Sequence, residues 1–289
     1  MVADLKSTTK RRIKDFAIRA GLEFVARTDL GRWLPEAAGR GVIFTLHHVR
    51  PARNYDFEPN EHLAITPDFL DIAIKEALAC GLRPVALHEL PALLADPSDP
   101  RKFMCFTLDD GYRNNAQYAA PVFRKHNVPY TIFITPGFVE RTRIIWWETV
   151  ELLVRTSSNF RFDFGAGEEV VDCTNIHAKF SVFERMAEYV QRENEDRAVA
   201  IIEQLAVKNG INPIKIVDDE VMDVGELQDL LRDPLAHLGA HTITHPNLTR
   251  VSNEQLYEEI SQSMRRVGEY CGRAITTLAY PYGGRHAVD

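Results

Sequence analysis

Six consecutive residues, Phe103–Leu108, form an extended run that is apolar on both faces and stops at Asp109-Asp110-Gly111. A strand that buries both faces is typical of a parallel sheet covered by helices, because a surface strand of an antiparallel sheet alternates apolar and polar residues. Similar apolar runs recur at residues 42–46, 130–134, 235–240 and 276–280. Helical patterns lie between them at residues 67–80, 115–126 and 253–270. This alternation predicts an α/β fold with a parallel sheet.

Two segments depart from this alternation. Between about residues 145 and 233 we expect a mostly helical insertion, with helices around a short hairpin at residues 160–172. Residues 1–40 carry nine Lys/Arg and five Asp/Glu. Within them, residues 10–26 form the pattern of a basic amphipathic helix. We therefore predict an N-terminal helical extension over residues 1–40 and one α/β domain over residues 41–289.

The basic helix leaves its own partner open. Its apolar face could cover one end of the domain, pack against a second copy in a homo-oligomer, or lie on an anionic membrane surface as a peripheral contact.

Composition excludes several classes of protein. The 34 Lys+Arg and 41 Asp+Glu residues give a formal net charge of -7, so we expect no nucleic-acid partner. No apolar run reaches the roughly 18 residues that a transmembrane helix needs. The charged N-terminus is not followed by the apolar core of a signal peptide. We therefore expect a cytoplasmic protein without a transmembrane segment.

Three polar clusters each follow the end of a predicted strand. They are Asp109-Asp110-Gly111, His241-Thr242-Ile243-Thr244-His245-Pro246 and Tyr280-Pro281-Tyr282-Gly283-Gly284. In a parallel α/β barrel the carboxyl ends of all strands open on the same face, so we expect these clusters to converge. Taken singly, the acidic pair and the histidine pair also fit structural roles. Together they offer a His-His-Asp ligand set with positions left for water, which suits a catalytic metal.

The three clusters resemble the first three motifs of the NodB-type polysaccharide deacetylases, carbohydrate esterase family four. Thr107-Leu108-Asp109-Asp110-Gly111-Tyr112 is similar to the first motif, and the other two clusters are similar to the second and third. The similarity extends from about residue 42 to residue 284. It includes Leu46-His47-His48-Val49, which resembles the histidine-bearing end of the family's first strand.

The resemblance implies a deformed, incomplete (β/α) barrel and one divalent metal ion bound by Asp110, His241 and His245. The ion is usually zinc, although cobalt, nickel or iron suit the same ligands. The resemblance also implies that Asp109 is the general base for the attacking water and that the backbone N–H of Tyr282 stabilises the oxyanion. Further residues predicted to contact substrate are Tyr112, His48, Pro281 and Gly283.

The implied activity is hydrolysis of the acetamide of N-acetylated amino sugars, so the expected partner is an N-acetylated oligosaccharide or polysaccharide. Two alternatives stay open. The same barrel could act on another C–N amide, such as a formylated sugar or a cyclic ureide. The chain could also be a non-catalytic, carbohydrate-binding relative.

Two departures from the family pattern bear on activity. The family's arginine before the third motif corresponds to Ala279, so another group would have to orient Asp109. The family's later motif, whose histidine protonates the leaving amine, has no counterpart after the third motif. We therefore expect either a truncated C-terminus or activity that is weakened or absent, with His48 or His286 as candidate substitute acids.

Two other features have competing interpretations. Trp146 and Trp147 could stack on sugar rings, but Trp147 also fits the core face of the following helix. The acidic run at residues 193–196 is interpreted as a solvated helix start.

Overall fold

A sheet of five strands organises the computed structural model, which describes residues 39–96, 98–283 and 287. By its internal contacts the chain divides into two units, Met1–Val42 and Ile43–Asp289. Apart from the first two residues of the first strand, the described helices and strands lie in the second unit. The predicted amphipathic helix over residues 10–26 lies outside the described residues, as does His286. The strands are β1 (Gly41–Leu46), β2 (His48–Val49), β3 (Ala64–Ile65), β4 (Arg83–Pro84), β5 (Phe103–Leu108), β6 (Tyr130–Ile134), β7 (Asn159–Asp163), β8 (Glu168–Asp172) and β9 (Ala236–Ala240).

Ten α-helices lie among the described residues. They are α1 (Pro67–Ala79), α2 (Leu90–Ala95), α3 (Ala120–His126), α4 (Pro136–Val139), α5 (Trp146–Thr156), α6 (Ile176–Arg192), α7 (Glu195–Lys208), α8 (Pro213–Glu220), α9 (Val224–Leu230) and α10 (Asn253–Cys271). A π-helical turn at Asn115–Ala119 leads into α3. None of the helices among the described residues is long and apolar enough to cross a membrane.

The sheet has the order β1-β5-β6-β9, and β4 also pairs with β5. The pairs β4–β5, β5–β6 and β6–β9 are parallel, and Ile134 at the end of β6 faces Ala240 at the end of β9. Every residue of β5 and β6 is buried, as a strand covered on both faces requires. The prediction of an α/β fold built on a parallel sheet is therefore confirmed. Over residues 39–96 and 98–283 the strands do not close into a complete barrel.

Two of the helices beside the sheet begin at side-chain caps. The hydroxyl of Thr66 accepts a hydrogen bond from the Phe69 amide at the start of α1, and Pro67 occupies the first turn. Ser252 caps α10 in the same way, and Gly272 ends α10 in the left-handed conformation. These elements agree with the helices that the sequence predicts at residues 67–80 and 253–270.

The predicted strand at residues 276–280 is wrong. In its place the structure has one isolated parallel bridge between Ala240 and Leu278. The amide of Ala240 donates to the Thr277 carbonyl at 3.0 Å, and the amide of Ala279 donates to the Ala240 carbonyl at 2.9 Å. Pairing goes no further because β9 ends at Ala240 and the next residues turn out of the sheet.

Helices α5 to α9 and the hairpin β7–β8 occupy the segment interpreted as an insertion. The hairpin is antiparallel, with Asn159 opposite Asp172 and Asp163 opposite Glu168. Helices α5, α6 and α7 bury apolar faces against one another. Helices α8 and α9 were not predicted individually. Their sequence signals are Asn212-Pro213 at the start of α8 and the Asp223-x-x-Glu226 capping box at the start of α9. Whether this segment is an insertion into the domain stays a prediction.

Candidate metal centre

The first of the site loops begins where β5 ends. The amide of Asp109 still donates to the Leu46 carbonyl of β1 at 2.9 Å, so Asp109 is held at the edge of the sheet. Asp110 and Gly111 then adopt left-handed backbone conformations, with φ of 71° and 74°. Such a conformation is uncommon for a residue with a side chain and persists where the surroundings hold it. The turn leaves the Asp110 carboxylate buried.

The second loop begins where β9 ends, and a carboxylate holds it from behind. The amide of His241 donates to the Ile134 carbonyl at 2.8 Å. Glu259 of α10 accepts hydrogen bonds from the amides of Ile243 and Thr244 at 2.7 and 3.0 Å, and from the Thr244 hydroxyl at 2.6 Å. His245 lies in the left-handed region with φ of 60°. The spacing of the two histidines is thus fixed by backbone contacts as well as by sequence.

The two loops bring Asp110, His241 and His245 together. The Nε2 atoms of His241 and His245 lie 3.8 and 3.5 Å from Oδ1 of Asp110. One nitrogen or oxygen from each residue lies within 4.8 Å of the others, so the group could hold a metal ion. All three side chains are buried, with residue exposures of 1%, 2% and 7%. The predicted convergence of the first two clusters is therefore present in the structure.

The electrostatics of this group suit a cation. Burial lowers the pKa of His241 to about 4 and that of His245 well below its usual range, so both imidazoles are neutral and can act as ligands. Burial, followed by the charges of Asp109 and Glu148, raises the pKa of Asp110 well above its usual range. Oδ1 of Asp110 accepts no hydrogen bond from the described residues. A bound cation would supply the partner that this carboxylate lacks.

A backbone contact selects the tautomer of His241. Its Nδ1 lies 3.0 Å from the Ala279 carbonyl oxygen, which can only accept, so Nδ1 carries the proton. Nε2, which faces Asp110, is then left with its lone pair. Ala279 thus contributes to the site through its backbone, although its side chain is not the arginine of the family pattern.

Asp109 lies beside this group, together with a histidine that the sequence analysis did not assign. Burial raises the pKa of Asp109 to about 6, an effect that His47 partly offsets. The Nε2 of His47 lies 3.9 Å from Oδ2 of Asp109. The signal available in the sequence was that His47 directly follows β1, the strand paired with β5.

Tyr282 and Gly283 lie at the wall of a cavity of about 650 Å³ that also contains the metal-binding group and Asp109. Tyr282 has a φ of 68°. Its hydroxyl accepts a hydrogen bond from Nε1 of Trp146 at 3.1 Å, and its ring lies 5.0 Å from the His245 ring. Pro281 is buried next to it. Besides Asp109, Asp110 and the two histidines, the side chains that line the cavity include His47, Asn60, His62, Phe133, Trp146, Trp147, Phe183 and Tyr280.

Tyr112 and His48, which are predicted to contact substrate, are not among the described residues that line this cavity. Both are buried, at 0% and 1% exposure, and their ring centroids lie 3.6 Å apart with the ring planes tilted by 32°. The Tyr112 hydroxyl bonds Asp110 and accepts from Nε1 of Trp147 at 3.1 Å. His48 lies 3.5 Å from Glu148, behind the ligands. These side chains can support the metal-binding group, and a substitute acid at His48 does not fit this position.

The burial of Trp147 agrees with the core interpretation, and stacking on a sugar ring stays a prediction. Trp147 is buried at the start of α5, and its ring also lies 5.0 Å from the His245 ring at the cavity wall.

The interpretation of the acidic run as solvated is wrong for Glu195. Its carboxylate is buried, because it accepts hydrogen bonds from the Tyr282 hydroxyl and from the Asn247 amide, the latter at 2.9 Å. Asp196, the next residue, is half-exposed and pairs with Arg143.

A family model described as polysaccharide deacetylase matches residues 96–161 and 174–288, which is more than half of the chain. A comparison with curated proteins gives no significant match.

Comparison with solved structures finds a similar fold in one deacetylase. The deacetylase PplD of Streptococcus pyogenes, in complex with acetate, aligns with a TM-score of 0.51 and 14% identity, covering 85% of this chain and 76% of that chain. IcaB from Ammonifex degensii aligns with a TM-score of 0.49 and 15% identity, covering 86% and 77%. A polysaccharide deacetylase from Bacillus cereus aligns with a TM-score of 0.48 and 13% identity. The alignment covers 86% of this chain and 52% of the Bacillus cereus chain.

Proposed function

The chain belongs to the polysaccharide deacetylase family, and from that premise we propose that it hydrolyses the acetamide of N-acetylated amino sugars in an oligosaccharide or polysaccharide. The observation that carries the proposal is the buried group of Asp110, His241 and His245 at the wall of a cavity, with the second carboxylate, Asp109, beside it. A structural metal site would not require a second carboxylate at the cavity wall with one oxygen, Oδ1 of Asp109, that accepts no hydrogen bond from the described residues.

We propose that Asp110, His241 and His245 hold one divalent cation. Two neutral imidazoles and one carboxylate suit zinc, and cobalt, nickel or iron suit the same ligands. When bound, such an ion polarises the amide carbonyl and lowers the pKa of water. The backbone of Ala279 and the buried hydroxyl of Tyr112 orient the ligands, and outer contacts of this kind commonly tune metal affinity.

Asp109 is the proposed general base. Its pKa of about 6 leaves it ionised at neutral pH, yet close enough to neutrality to accept a proton from the attacking water. Its Oδ1 accepts no hydrogen bond from the described residues and is therefore available. The backbone N–H of Tyr282, at the cavity wall, is the proposed donor to the oxyanion.

We assign protonation of the leaving amine to His47. This ring faces the cavity, its side chain is 29% exposed, and its Nε2 lies 3.9 Å from Asp109. A proton accepted by Asp109 can therefore pass to His47 over a short path, after which His47 donates it to the amine nitrogen. The assignment replaces His48, whose buried ring lies behind the ligands.

Metal analysis combined with acetate release tests the proposal. We expect about one zinc or similar ion per purified chain, lost in His241→Ala and Asp110→Asn, and acetate release from N-acetylglucosamine oligomers by the parent only. His47→Gln should retain the metal and lose turnover. A folded parent without metal above background contradicts the proposal. Oligosaccharide binding by a metal-loaded parent without acetate release favours the non-catalytic alternative, and release of formate favours a formylated substrate.

A further inference from the structure

Glu195 connects two loops of the site from outside the sheet. It is the first residue of α7, in the helical segment, and it is 8% exposed. One carboxylate oxygen accepts a hydrogen bond from the Tyr282 hydroxyl. The other accepts from the backbone amide of Asn247 at 2.9 Å, two residues after His245. Both oxygens of one buried side chain are thus occupied by donors from separate loops.

We propose that Glu195 is a positioning residue that fixes Tyr282 relative to His245 for the deacetylation reaction. The inference rests on the proposed function, since it assigns Glu195 a part in that reaction. Glu195 does not line the cavity formed by the described residues, so it acts through the two loops.

The surroundings of Tyr282 explain why such a contact is needed. A non-glycine residue at a φ of 68° keeps that conformation only where neighbouring groups hold it. The Tyr282 hydroxyl accepts from Trp146 and donates to Glu195, so both of its hydrogen-bonding functions are used. Loss of the acceptor would free the ring, and the backbone N–H of the same residue would lose its fixed position.

The charges around Glu195 favour the carboxylate that both donors require. Burial raises the pKa of Glu195, and the hydrogen bonds from Tyr282 and Asn247, followed by the charges of Arg143 and Arg250, oppose that increase. Arg143 also pairs with Asp196 at 2.9 Å. An ionised group that accepts two hydrogen bonds holds them more strongly than a neutral one.

The substitutions that test this role differ in what they keep. Glu195→Ala removes both acceptors. Glu195→Gln keeps the size and one acceptor, because its amide oxygen can accept from the Tyr282 hydroxyl while its amide nitrogen cannot accept from the Asn247 amide. Asp196→Ala is the matched control, since it removes the adjacent carboxylate, which is half-exposed and contacts neither loop residue named here.

Steady-state kinetics with N-acetylglucosamine oligomers should separate positioning from folding. We expect Glu195→Ala to lower kcat by roughly 100-fold with little change in KM or metal content, as misplacement of a reacting group does. Glu195→Gln should recover part of this loss, since it keeps an acceptor for the Tyr282 hydroxyl. Glu195→Ala combined with Tyr282→Phe should cost less than the product of the two single losses, because both remove the same contact. Losses that multiply, or a Glu195→Ala rate equal to that of Asp196→Ala, would overturn the proposal.

Urea unfolding of the parent, Glu195→Ala, Tyr282→Phe and the double variant distinguishes this proposal from the function on which it rests. A non-additive shift in the unfolding midpoint shows the Glu195–Tyr282 contact without any substrate. If the parent releases acetate and the variants match it, the positioning role is wrong while the deacetylase function stands. If the parent releases no acetate, the proposed function fails; additive midpoint shifts would then overturn the contact itself, and non-additive shifts would support it.

Discussion

The candidate metal centre and the loops around it both contain buried carboxylates, but these carboxylates differ in how many hydrogen bonds they accept. We call Glu195, Glu259 and the loop residues that donate to them the frame. In the metal centre, Oδ1 of Asp109 and Oδ1 of Asp110 accept no hydrogen bond from the described residues. In the frame, Glu195 and Glu259 use both carboxylate oxygens. A buried polar group without a partner costs stability, whereas a bonded one does not.

This difference is expected if Asp109 and Asp110 take part in the proposed chemistry while Glu195 and Glu259 hold the loops in place. The frame makes the loops rigid at positions where Thr242, His245 and Tyr282 all adopt left-handed conformations. The candidate metal centre lies between these loops, where Nε2 of His241 and Nε2 of His245 lie within 4 Å of Oδ1 of Asp110. Functional sites commonly retain such local conflicts, which the rest of the fold supports.

The largest expected effect comes from the ligands. Asp110→Asn should abolish metal binding and lower deacetylation at least 1,000-fold, on the order of the loss from removing a principal electrostatic group. In the presence of a chelator, however, the variant should be no less stable than the parent, because Oδ1 of Asp110 has no hydrogen-bond partner among the described residues and burial already disfavours the ionised form. Elemental analysis and urea unfolding measure the two effects. A metal-free variant that is clearly less stable would show that the metal centre is structural after all.

Glu259→Ala should have the opposite profile. It leaves the amides of Ile243 and Thr244 and the Thr244 hydroxyl without their acceptor, which should lower the free energy of unfolding by about 3 kcal/mol. Glu258→Ala, one residue earlier and exposed on the same helix, is the control and should change it by less than about 0.5 kcal/mol. Equal effects in the two variants would remove the distinction between frame and surface.

The pH dependence of stability should show that ionised Asp109 destabilises the metal-free folded protein. Its pKa is about 6 in the folded protein against an ordinary value of 3.8, so the folded state binds the proton more tightly. Its contribution therefore falls as pH rises from about 4 to 6, by about 3 kcal/mol in total. Asp109→Asn should consequently unfold at higher urea concentration than the parent at pH 7, and no higher near pH 3.5.

Metal and activity provide the checks on this assignment. A bound cation favours the ionised carboxylate, so zinc should reduce the difference between parent and variant at pH 7. In the loaded enzyme, kcat/KM should rise with pH along an acid limb at or below pH 6, as Asp109 loses its proton. A stability difference that does not change with pH would show that Asp109 has an ordinary pKa.

How far the sequence predicts this molecule follows from which contacts are local. Strands β5 and β6 are predictable because both faces are apolar, and the approach of Asp110 to His241 follows because parallel strands end on one side of a sheet. The isolated bridge at Leu278 was misjudged because its partner strand ends at Ala240, which the apolar run itself does not show.

The frame was harder to predict than the metal centre. An acidic residue at a helix N-terminus, such as Glu195, is favourable in water and gives no sign of burial. Its burial depends on Tyr282, 87 residues away in the chain. His47 was unassigned for a similar reason, since its approach to Asp109 depends on the pairing of β1 with β5.

The smallest expected effect lies where metal centre and frame meet. The Tyr112 hydroxyl bonds Asp110 on one side and accepts from Nε1 of Trp147 on the other, so it belongs to both. Tyr112→Phe should weaken zinc binding by about tenfold, as loss of a contact behind a metal ligand does, and should lower the free energy of unfolding by only about 1 kcal/mol.

Competition with a chelator of known zinc affinity measures the first effect, and urea unfolding of the metal-free protein measures the second. Tyr118→Phe, a partly exposed tyrosine nearby in sequence, is the control for removal of a hydroxyl. Weakened zinc binding with nearly unchanged stability would place Tyr112 with the metal centre. Unchanged zinc binding with a stability loss near that of Glu259→Ala would place it with the frame, because the bond to Trp147 would then be the one that matters.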